Sequence, residues 1–284
     1  MPDNAAFSRS AGMTAPPHPA QENAPTRPAR GRANLRGLAT LYAKEVRRFL
    51  KIGGQTLVAP IITTILFLTV FSVAFGTDRQ VAGLPYIEFL GPGLIMMTIL
   101  QNAFANTSTS LIQQKLNENI IDVLMPPLSP LELTLGYVLG GATRGLLVAV
   151  SVGVALWLIV PFSVHNLTFV LVHGAGGASL MSALGMMTGI WAEKFDHVST
   201  VTNFVILPLS FLSGTFFAIG RFPDILQTAS HFNPFFYLID GFRYGFTGQA
   251  DGSLAIGLVV VVGANLIAWT SCFAMFQTGY KLKA

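Results

Sequence analysis

Long uncharged apolar stretches dominate this chain of 284 residues. Five stretches lack Asp, Glu, Lys and Arg: Thr56 to Gly76, Phe89 to Gln114, Gly145 to Ala192, Val198 to Gly220 and Gly252 to Tyr280. Each has at least the roughly 20 residues that a helix needs to cross the hydrocarbon core of a bilayer. The third is about twice that length and carries Pro161, His165 and Asn166 near its middle, which predicts a turn between two helices. The pattern therefore predicts six transmembrane helices.

Composition agrees with a helical membrane protein. Hydrophobic residues make up 52% of the chain and charged residues 11%, with a mean hydropathy of +0.58. These values differ from those of ordinary soluble domains. A transmembrane β-barrel would alternate apolar and polar residues within segments of about 10 residues, whereas these runs are continuous. The single cysteine, Cys272, excludes an internal disulfide and a multi-cysteine metal site, and we expect it inside the last span as a small apolar residue.

Positive charge is concentrated at the N-terminal end. Residues 1 to 51 contain nine of the 17 Lys and Arg residues and three acids. Positive residues next to a span favour its cytoplasmic end, so the N-terminus is predicted to be cytoplasmic, and six crossings place the C-terminus there too. Membrane orientation thus explains the basic composition, and no nucleic acid partner is expected.

The first 33 residues are predicted to form a disordered cytoplasmic tail. They are rich in Pro, Ala, Ser and Asn and show no apolar periodicity. An organelle transit peptide is the alternative, and Asp3 and Glu22 argue against it. The remaining residues, 34 to 284, are predicted to form one membrane domain.

An amphipathic helix is predicted just before the first span. Its apolar residues are Leu35, Leu38, Tyr42, Val46 and Phe49. The basic residues on most of its remaining surface are Arg36, Lys44, Arg47, Arg48 and Lys51. Such a helix is typical of a membrane interface, with its apolar face in the acyl chains and its basic face toward anionic headgroups. A simple positive anchor for the first span is the alternative interpretation.

The segment between the second and third spans predicts a short amphipathic helix followed by a long one. Within Gln113 to Leu124, polar residues occupy one helical face and apolar residues the other, and two prolines then end the helix. Ser129 can cap the next helix, because Pro130 suits its first position and Glu132 completes a capping box. A solvated loop is the alternative for the polar face.

Several polar residues fall inside the predicted spans. Gln101, Asn102 and Asn106 give the second span a polar side, which would line a pathway or bond internally. Arg144 follows Glu132 by about 18 Å of helix. An intramembrane charge usually faces a polar cavity or a charged partner, so Arg144 is predicted either to pair with an acid or to serve a pathway.

The segment from Gly220 to Gly252 predicts two short external helices. Phe222-Pro223 and Asn233-Pro234 are suitable starts, since proline is favoured in the first turn of a helix. Its many aromatic residues predict that the segment dips into the outer leaflet. Asp240 and Arg243 stand three positions apart and can pair, which predicts a packing role, with direct contact to a substrate as the alternative.

Two segments together carry a resemblance to a known family. They are LNENIIDVLMPPLSPLELTLGYVLGG and NPFFYLIDGFRYGFTG. With the order of the predicted helices, they resemble the type-2 permeases of ATP-binding-cassette exporters over Leu35 to Tyr280. The resemblance implies a homodimer of permeases that binds two cytoplasmic ATPases, with ATP and Mg held by the ATPases and no cofactor on this chain. It also implies that Leu35 to Lys51 flanks the ATPase.

The same resemblance assigns Asn117 to Leu124 as a coupling helix that docks on the ATPase. The residues expected to make this contact are Asn117, Glu118, Asn119, Ile121 and Asp122. The chain has no G-x-x-x-x-G-K-[ST] phosphate loop, so energy for transport would come from the partner.

The sequence thus predicts a non-enzymatic permease subunit in the inner membrane, in contact with lipid. By resemblance it exports an amphipathic substrate, a lipid, glycan-lipid or drug-like molecule, with ATP hydrolysed by a separate subunit. No H-E-x-x-H or G-x-S-x-G motif points to catalysis. A passive channel or a non-transporting scaffold is the alternative.

Overall fold

The computed structural model describes residues 34–76, 80–81, 83–160 and 163–282. The predicted tail of residues 1–33 and Pro161 lie outside the described residues. The helices are α1 Leu35–Leu50, α2 Gly53–Phe75, α3 Tyr86–Leu116, α4 Ile120–Leu124, α5 Pro130–Trp157, α6 Leu167–Trp191, α7 Phe195–Val201, α8 Leu207–Phe211, α9 Asp224–Phe232, α10 Pro234–Thr247 and α11 Leu254–Thr278. Two short strands, β1 Gln80–Val81 and β2 Leu84–Pro85, pair antiparallel between α2 and α3.

Five helices in the described part of the chain are long and apolar enough to cross a membrane: α2, α3, α5, α6 and α11. This result confirms an all-helical membrane protein. The longest apolar stretch divides into α5 and α6, as the sequence predicts, and His165 and Asn166 lie in the link. Asn166 begins α6 by accepting hydrogen bonds from the backbone N–H groups of Thr168 and Phe169.

The predicted span from Val198 to Gly220 has a different form. It is a rod of three contiguous helical pieces, α7, a π-helical turn at Thr202–Ile206 and α8, which together cover 17 residues. Pro208 has no N–H with which to continue an α-helical ladder, and the Leu207 N–H bonds back to the Thr202 carbonyl instead. The rod is about 25 Å long at 1.5 Å per residue, shorter than the sequence predicts.

Helix α3 is the central helix, and small residues let its neighbours approach it closely. A Cβ atom on Gly189 of α6 would stand 2.9 Å from the Ser108 carbonyl oxygen of α3, and one on Gly185 would collide with the Phe104 carbonyl. At this contact the Thr107 hydroxyl donates to the Ser182 carbonyl at 2.7 Å. Gly185 and Gly189 therefore make this side of α6 a packing face for α3.

Helix α1 packs along the first turns of α5. The Asn34 N–H donates to the Glu132 carboxylate, the Leu41 side chain lies against Gly136, and Glu45 lies against Gly140. The α1 helix is confirmed, but its protein-facing side is Leu41, Glu45 and Phe49. Phe49, which was expected among acyl chains, is buried in the protein.

Candidate functional site

The predicted coupling segment is a turn followed by a short helix. Helix α3 ends at Leu116, Glu118 has a φ of +58°, and α4 is restricted to Ile120–Leu124. The N–H of Asn119 bonds to the Gln114 carbonyl at 2.9 Å and that of Glu118 to the Lys115 carbonyl at 3.1 Å. These bonds close the helix end in the manner of a Schellman motif. The expected continuous helix through Asn117 is therefore wrong.

The surface of this coupling turn, defined here as residues 117–125, is open. Its exposed side chains include all five predicted contact residues, Asn117, Glu118, Asn119, Ile121 and Asp122. Ile120 and Val123 are buried and attach α4 to the core. Met125 is 76% exposed, so apolar and acidic groups share one surface, which is a composition suited to a protein contact.

The coupling turn is joined to the starts of α1 and α5. The Ser129 hydroxyl accepts the Glu132 N–H, while the Glu132 carboxylate accepts the Ser129 N–H at 2.7 Å, which confirms the capping box. Glu132 also accepts the Asn34 N–H, and the Asn34 side-chain amide reaches the Pro127 carbonyl at 3.4 Å. One carboxylate thus ties α1, α5 and the end of the turn together.

A buried polar network lies behind this surface, and Glu45 is its centre. The Glu45 carboxylate is fully buried. It accepts from the Arg48 guanidinium at 3.1 Å and from the Ser110 hydroxyl at 2.8 Å. Arg48 also donates to the backbone carbonyl of Asn106 at 2.7 Å and to its side-chain oxygen at 3.0 Å. Arg48 and Asn106 therefore bind each other, rather than headgroups or a pathway.

The network continues to the end of α3. The Gln114 amide donates to the Ser110 hydroxyl at 2.9 Å, and the buried Tyr137 hydroxyl donates to the Gln114 carbonyl oxygen at 2.9 Å. Lys44 reaches the same oxygen at 3.4 Å. Helices α1, α3 and α5 are thus linked by hydrogen bonds next to the coupling turn. Sequence analysis missed Glu45, and its spacing of three residues from Arg48 was the available signal.

The remaining basic residues of α1 stay at the surface. Arg36, Lys44 and Arg47 are exposed, as the amphipathic pattern predicts. Their charge is available to a lipid headgroup or to a protein partner.

Arg144 lines a cavity of about 250 Å³ that has a polar side. Gln55 and Thr56 of α2 and Asn102 of α3 line it. The Arg144 Nε is buried and has no hydrogen-bond partner among the described residues. No described carboxylate lies within 4.0 Å of the guanidinium, since the ion pairs of the described chain are Glu45–Arg48 and Glu193–Lys281. Among the residues that the structure describes, Arg144 therefore does not form the expected ion pair with an acid.

A second cavity of about 220 Å³ adjoins the first and shares Ala59, Pro60 and Asn102 with it. Its polar lining consists of Thr63, Thr64, Thr98, Gln101 and Asn102, and its apolar lining includes Phe67, Leu94 and Met97. The two cavities form one groove along α2 and α3, here called the Arg144 groove. Gln101 and Asn102 therefore line an open space, as one sequence interpretation expects, and the Asn102 amide also donates to the Thr98 carbonyl at 3.0 Å, as the other expects.

Arg144 lies near the start of α2 rather than deep within the spans. The first turns of α5 run beside α1, with Gly140 against Glu45, and Arg144 is one turn further on. Ile52, at the junction of α1 and α2, lines the same cavity. The 18 Å of helix counted from Glu132 therefore overestimates the depth of the charge.

Asp240 and Arg243 are buried on α10, but they do not form the predicted ion pair. The Asp240 carboxylate accepts the backbone N–H groups of Asp251 at 2.8 Å and Gly252 at 3.0 Å. Arg243 donates to the Phe89 carbonyl at 3.2 Å and to the Gly214 carbonyl at 2.5 Å. Each side chain holds a different segment against α10. The two residues therefore have the predicted packing role, but through hydrogen bonds to backbone groups and not through an ion pair.

The two predicted external helices are present as α9 and α10. Asn233 caps α10, accepting the Phe235 N–H at 3.0 Å, and its amide donates to the Leu209 carbonyl and the Ser213 hydroxyl at 2.8 Å each. Pro234 opens α10, as expected, whereas Pro223 stands just before α9.

A second surface lies at the ends of α3, α6 and α11. The Lys115 ammonium donates hydrogen bonds to the Ile190 and Ala192 carbonyls, at 2.7 and 2.6 Å. It thus provides hydrogen-bond partners for carbonyl groups at the end of α6. Glu193 pairs with Lys281 at 2.7 Å on the exposed surface. The Lys281 ammonium lowers the pKa of the Glu193 carboxyl, and the same bond raises the pKa of Lys281.

Comparison with known proteins places the sequence among transport permeases. The family model for ABC-2 type transporters matches residues 36–247. The inner membrane transport permease YadH of Escherichia coli K12 is 38% identical over 248 residues, which cover 87% of this chain and 97% of YadH. The daunorubicin resistance ABC transporter permease protein DrrB1 of Streptomyces coeruleorubidus is 26% identical over 257 residues, 85% of each chain. Nodulation protein J of Sinorhizobium fredii is 26% identical over 199 residues, 66% of this chain and 73% of the relative.

Proposed function

Because the chain belongs to the ABC-2 type transporter family, it is a multi-pass permease subunit of an inner-membrane ABC transporter, and we propose that it exports an amphipathic substrate. The family implies an ABC ATPase as the partner, and the permease is not itself an enzyme. Export of a lipid, glycan-lipid or drug-like molecule is the finer part of the proposal. The drug-resistance permease among its relatives supports it.

The coupling turn is the observation that carries this proposal. It presents Glu118, Asp122 and the exposed Ile121 and Met125 on one surface. That surface is anchored to α1, α3 and α5 by Glu132 and by the buried network around Glu45. A partner that pushes on this turn acts on three helices at once. ATP and Mg are bound by the ATPase, and ATP-driven closure supplies the push.

Six crossings, cytoplasmic termini and a homodimer complete the proposal. The rod formed by α7, the π-helical turn and α8 serves as the fifth crossing, and α9 and α10 dip into the outer leaflet. Helix α2 exposes Ile62, Leu66 and Val73 over most of its length, and the polar Arg144 groove opens beside it. Polar groups facing hydrocarbon are costly, so the groove faces the axis between two permeases, with lipid on the outer helices.

A charge-reversal pair tests the coupling assignment. The Glu118→Lys, Asp122→Lys double variant should reduce recovery of the ATPase with the tagged permease at least tenfold, because like charges replace opposite ones at the contact. Both side chains are exposed, so expression and thermal stability should stay at the wild-type level. Asp224→Lys, on the exposed surface of α9, is the matched control and should retain the ATPase.

The same preparations separate the exporter from a passive channel or scaffold. In proteoliposomes, the exporter moves a fluorescent phospholipid analogue or daunorubicin only with ATP and the ATPase, and the double variant loses this movement. Transport that needs no ATP would establish a channel. Wild-type ATPase recovery and transport in the double variant would exclude the coupling turn as the docking surface.

A further inference from the structure

Arg144 is a cation without a counter-ion inside the described part of the chain. Its Nε is buried without a hydrogen-bond partner, and the described carboxylates all lie more than 4.0 Å from the guanidinium. Glu45 is committed to Arg48 and Ser110. A partly buried, uncompensated cation at the edge of a membrane is costly, which favours an anionic ligand.

The groove next to Arg144 changes from polar to apolar along α2. At the Arg144 end the lining contains Gln55, Thr56 and Asn102, which supply hydrogen-bonding groups. Beyond Asn102 the lining gains Phe67, Leu94 and Met97 while keeping a threonine side. The order of these groups matches a molecule with a charged head and an apolar tail.

The position of the groove along α2 fits the two ends of an amphiphile. Ile52 and Gln55 place its polar end at the start of α2, where the chain turns from α1 into the first span. The apolar part runs toward the middle of α2, where Phe67 lines it. A lipid-like molecule standing in the leaflet would have its head at the level of Arg144 and its tail at the level of Phe67.

We propose that the Arg144 groove binds an anionic amphiphile, with its phosphate or carboxylate on Arg144 and Asn102 and its tail against Phe67, Leu94 and Met97. This assignment rests on the proposed export function and specifies its substrate class. Asn102 donates its amide to the Thr98 carbonyl at 3.0 Å, which fixes the side chain at the boundary between the two cavities. The Arg144 guanidinium attracts the anionic head. The apolar lining favours an anion with an apolar tail over a small anion without one.

Direct binding to the full-length permease, purified with its ATPase in a neutral maltoside detergent without ATP, tests the site. The probes are dioctanoyl phosphatidylglycerol, dioctanoyl phosphatidylcholine, dodecyl phosphate and inorganic phosphate, titrated by calorimetry. The wild type should bind phosphatidylglycerol at least tenfold more tightly than phosphatidylcholine, and inorganic phosphate at least a hundredfold more weakly than dodecyl phosphate. Arg144→Gln should lose the charge preference, and Arg144→Lys should keep part of it.

Arg221→Gln is the matched control, because Arg221 is exposed and lies near the external helices. It should bind all four probes like the wild type. Phosphatidylglycerol stands for a bilayer lipid and dodecyl phosphate for a soluble single-chain amphiphile. If either probe binds tightly and its binding depends on Arg144, the site is supported. The probe that binds also shows whether the site accepts a bilayer lipid or a soluble amphiphile.

Three results would overturn the proposal. They are the absence of a charge preference in the wild type, a preference that persists in Arg144→Gln, and equal affinity for inorganic phosphate and dodecyl phosphate. A shift from dimer to monomer in Arg144→Gln with unchanged lipid preference would also overturn it, because Arg144 would then serve the second copy. The titrations need no ATP, so the binding site can be supported even if ATP-driven transport is not observed. Conversely, transport of uncharged substrates can be observed even if the titrations reject the binding site.

Discussion

Replacing Glu45 by glutamine removes the charge at the centre of the buried network while nearly preserving its shape. The Glu45 carboxylate is fully buried, whereas the Arg48 side chain is 27% exposed. Glutamine keeps an oxygen for the Ser110 hydroxyl, and Arg48 keeps its two bonds to Asn106. The glutamine NH2 group then stands where Oε2 stood and cannot accept from Arg48, so the variant loses the hydrogen bonds from Arg48, which are worth about 1.5–3 kcal/mol when a charged group takes part.

We expect Glu45→Gln to lower the free energy of unfolding by about 2 kcal/mol. Arg48→Gln should cost more, about 3–5 kcal/mol, because it leaves a buried carboxylate without a counter-ion. The double variant should be more stable than the sum of the two losses implies, since both charges are then gone. SDS titration of the permease in mixed micelles, followed by tryptophan fluorescence, measures all three.

The ATPase assay supplies a second measurement for the same variants. Because the network joins α1, α3 and α5 beside the coupling turn, Glu45→Gln should also lower substrate-stimulated ATPase activity at temperatures where the permease remains folded. A stability change below about 0.5 kcal/mol, the range of ordinary surface substitutions, would refute the energetic argument. Strict additivity of the two single variants would refute the pairing.

Two further predictions concern α10 and the orientation of the chain. Gly241→Ala should destabilise the permease by about 1–3 kcal/mol in the same SDS titration, because its Cβ would overlap the His173 ring. Gly263 has open space around it, so Gly263→Ala should be neutral or stabilising. Equal behaviour of the two variants would reject the packing argument. An Asp251→Cys substitution in a Cys272→Ser background should react with an impermeant thiol reagent applied outside the cell, and labelling that requires permeabilisation would reverse the proposed topology.

The sequence predicts the long helices because an uncharged apolar run has few alternatives in a membrane protein. It also predicts the start of α5, since the Ser129 and Glu132 capping box is a local signal that the structure confirms. Glycine spacing on α6 marks a side that another helix can approach closely, because small residues let two backbones come near each other, but the spacing does not identify α3 as that helix. The helices, the cap and the glycine spacing are local features of the sequence.

The features that sequence reasoning missed depend on residues far apart in the chain. Glu45 looks like an ordinary surface acid within a basic helix, and only the fold brings Ser110 to it. Arg243 donates hydrogen bonds to the backbone carbonyls of Phe89 and Gly214. A pattern of side chains in the sequence does not indicate which backbone carbonyls of a loop can accept such bonds. Glu118 breaks a helical pattern with a positive φ, a conformation that sequence patterns normally assign to glycine or asparagine.

Helix α5 connects the coupling turn to the Arg144 groove, so a push at one site must alter the other. Its first turn holds the Glu132 contacts to α1, its second contributes Tyr137 to the buried network, and Arg144 lies about 21 Å from its start at Pro130. The helix contains no proline after its first residue, and its glycine pair, Gly140 and Gly141, packs against Glu45 and Ser182, which limits bending at that point. In the proposed transporter, an ATPase that displaces the coupling turn therefore moves Arg144 relative to α2. An anionic head held on Arg144 would be carried with α5, while the part of the tail on Phe67 stays with α2.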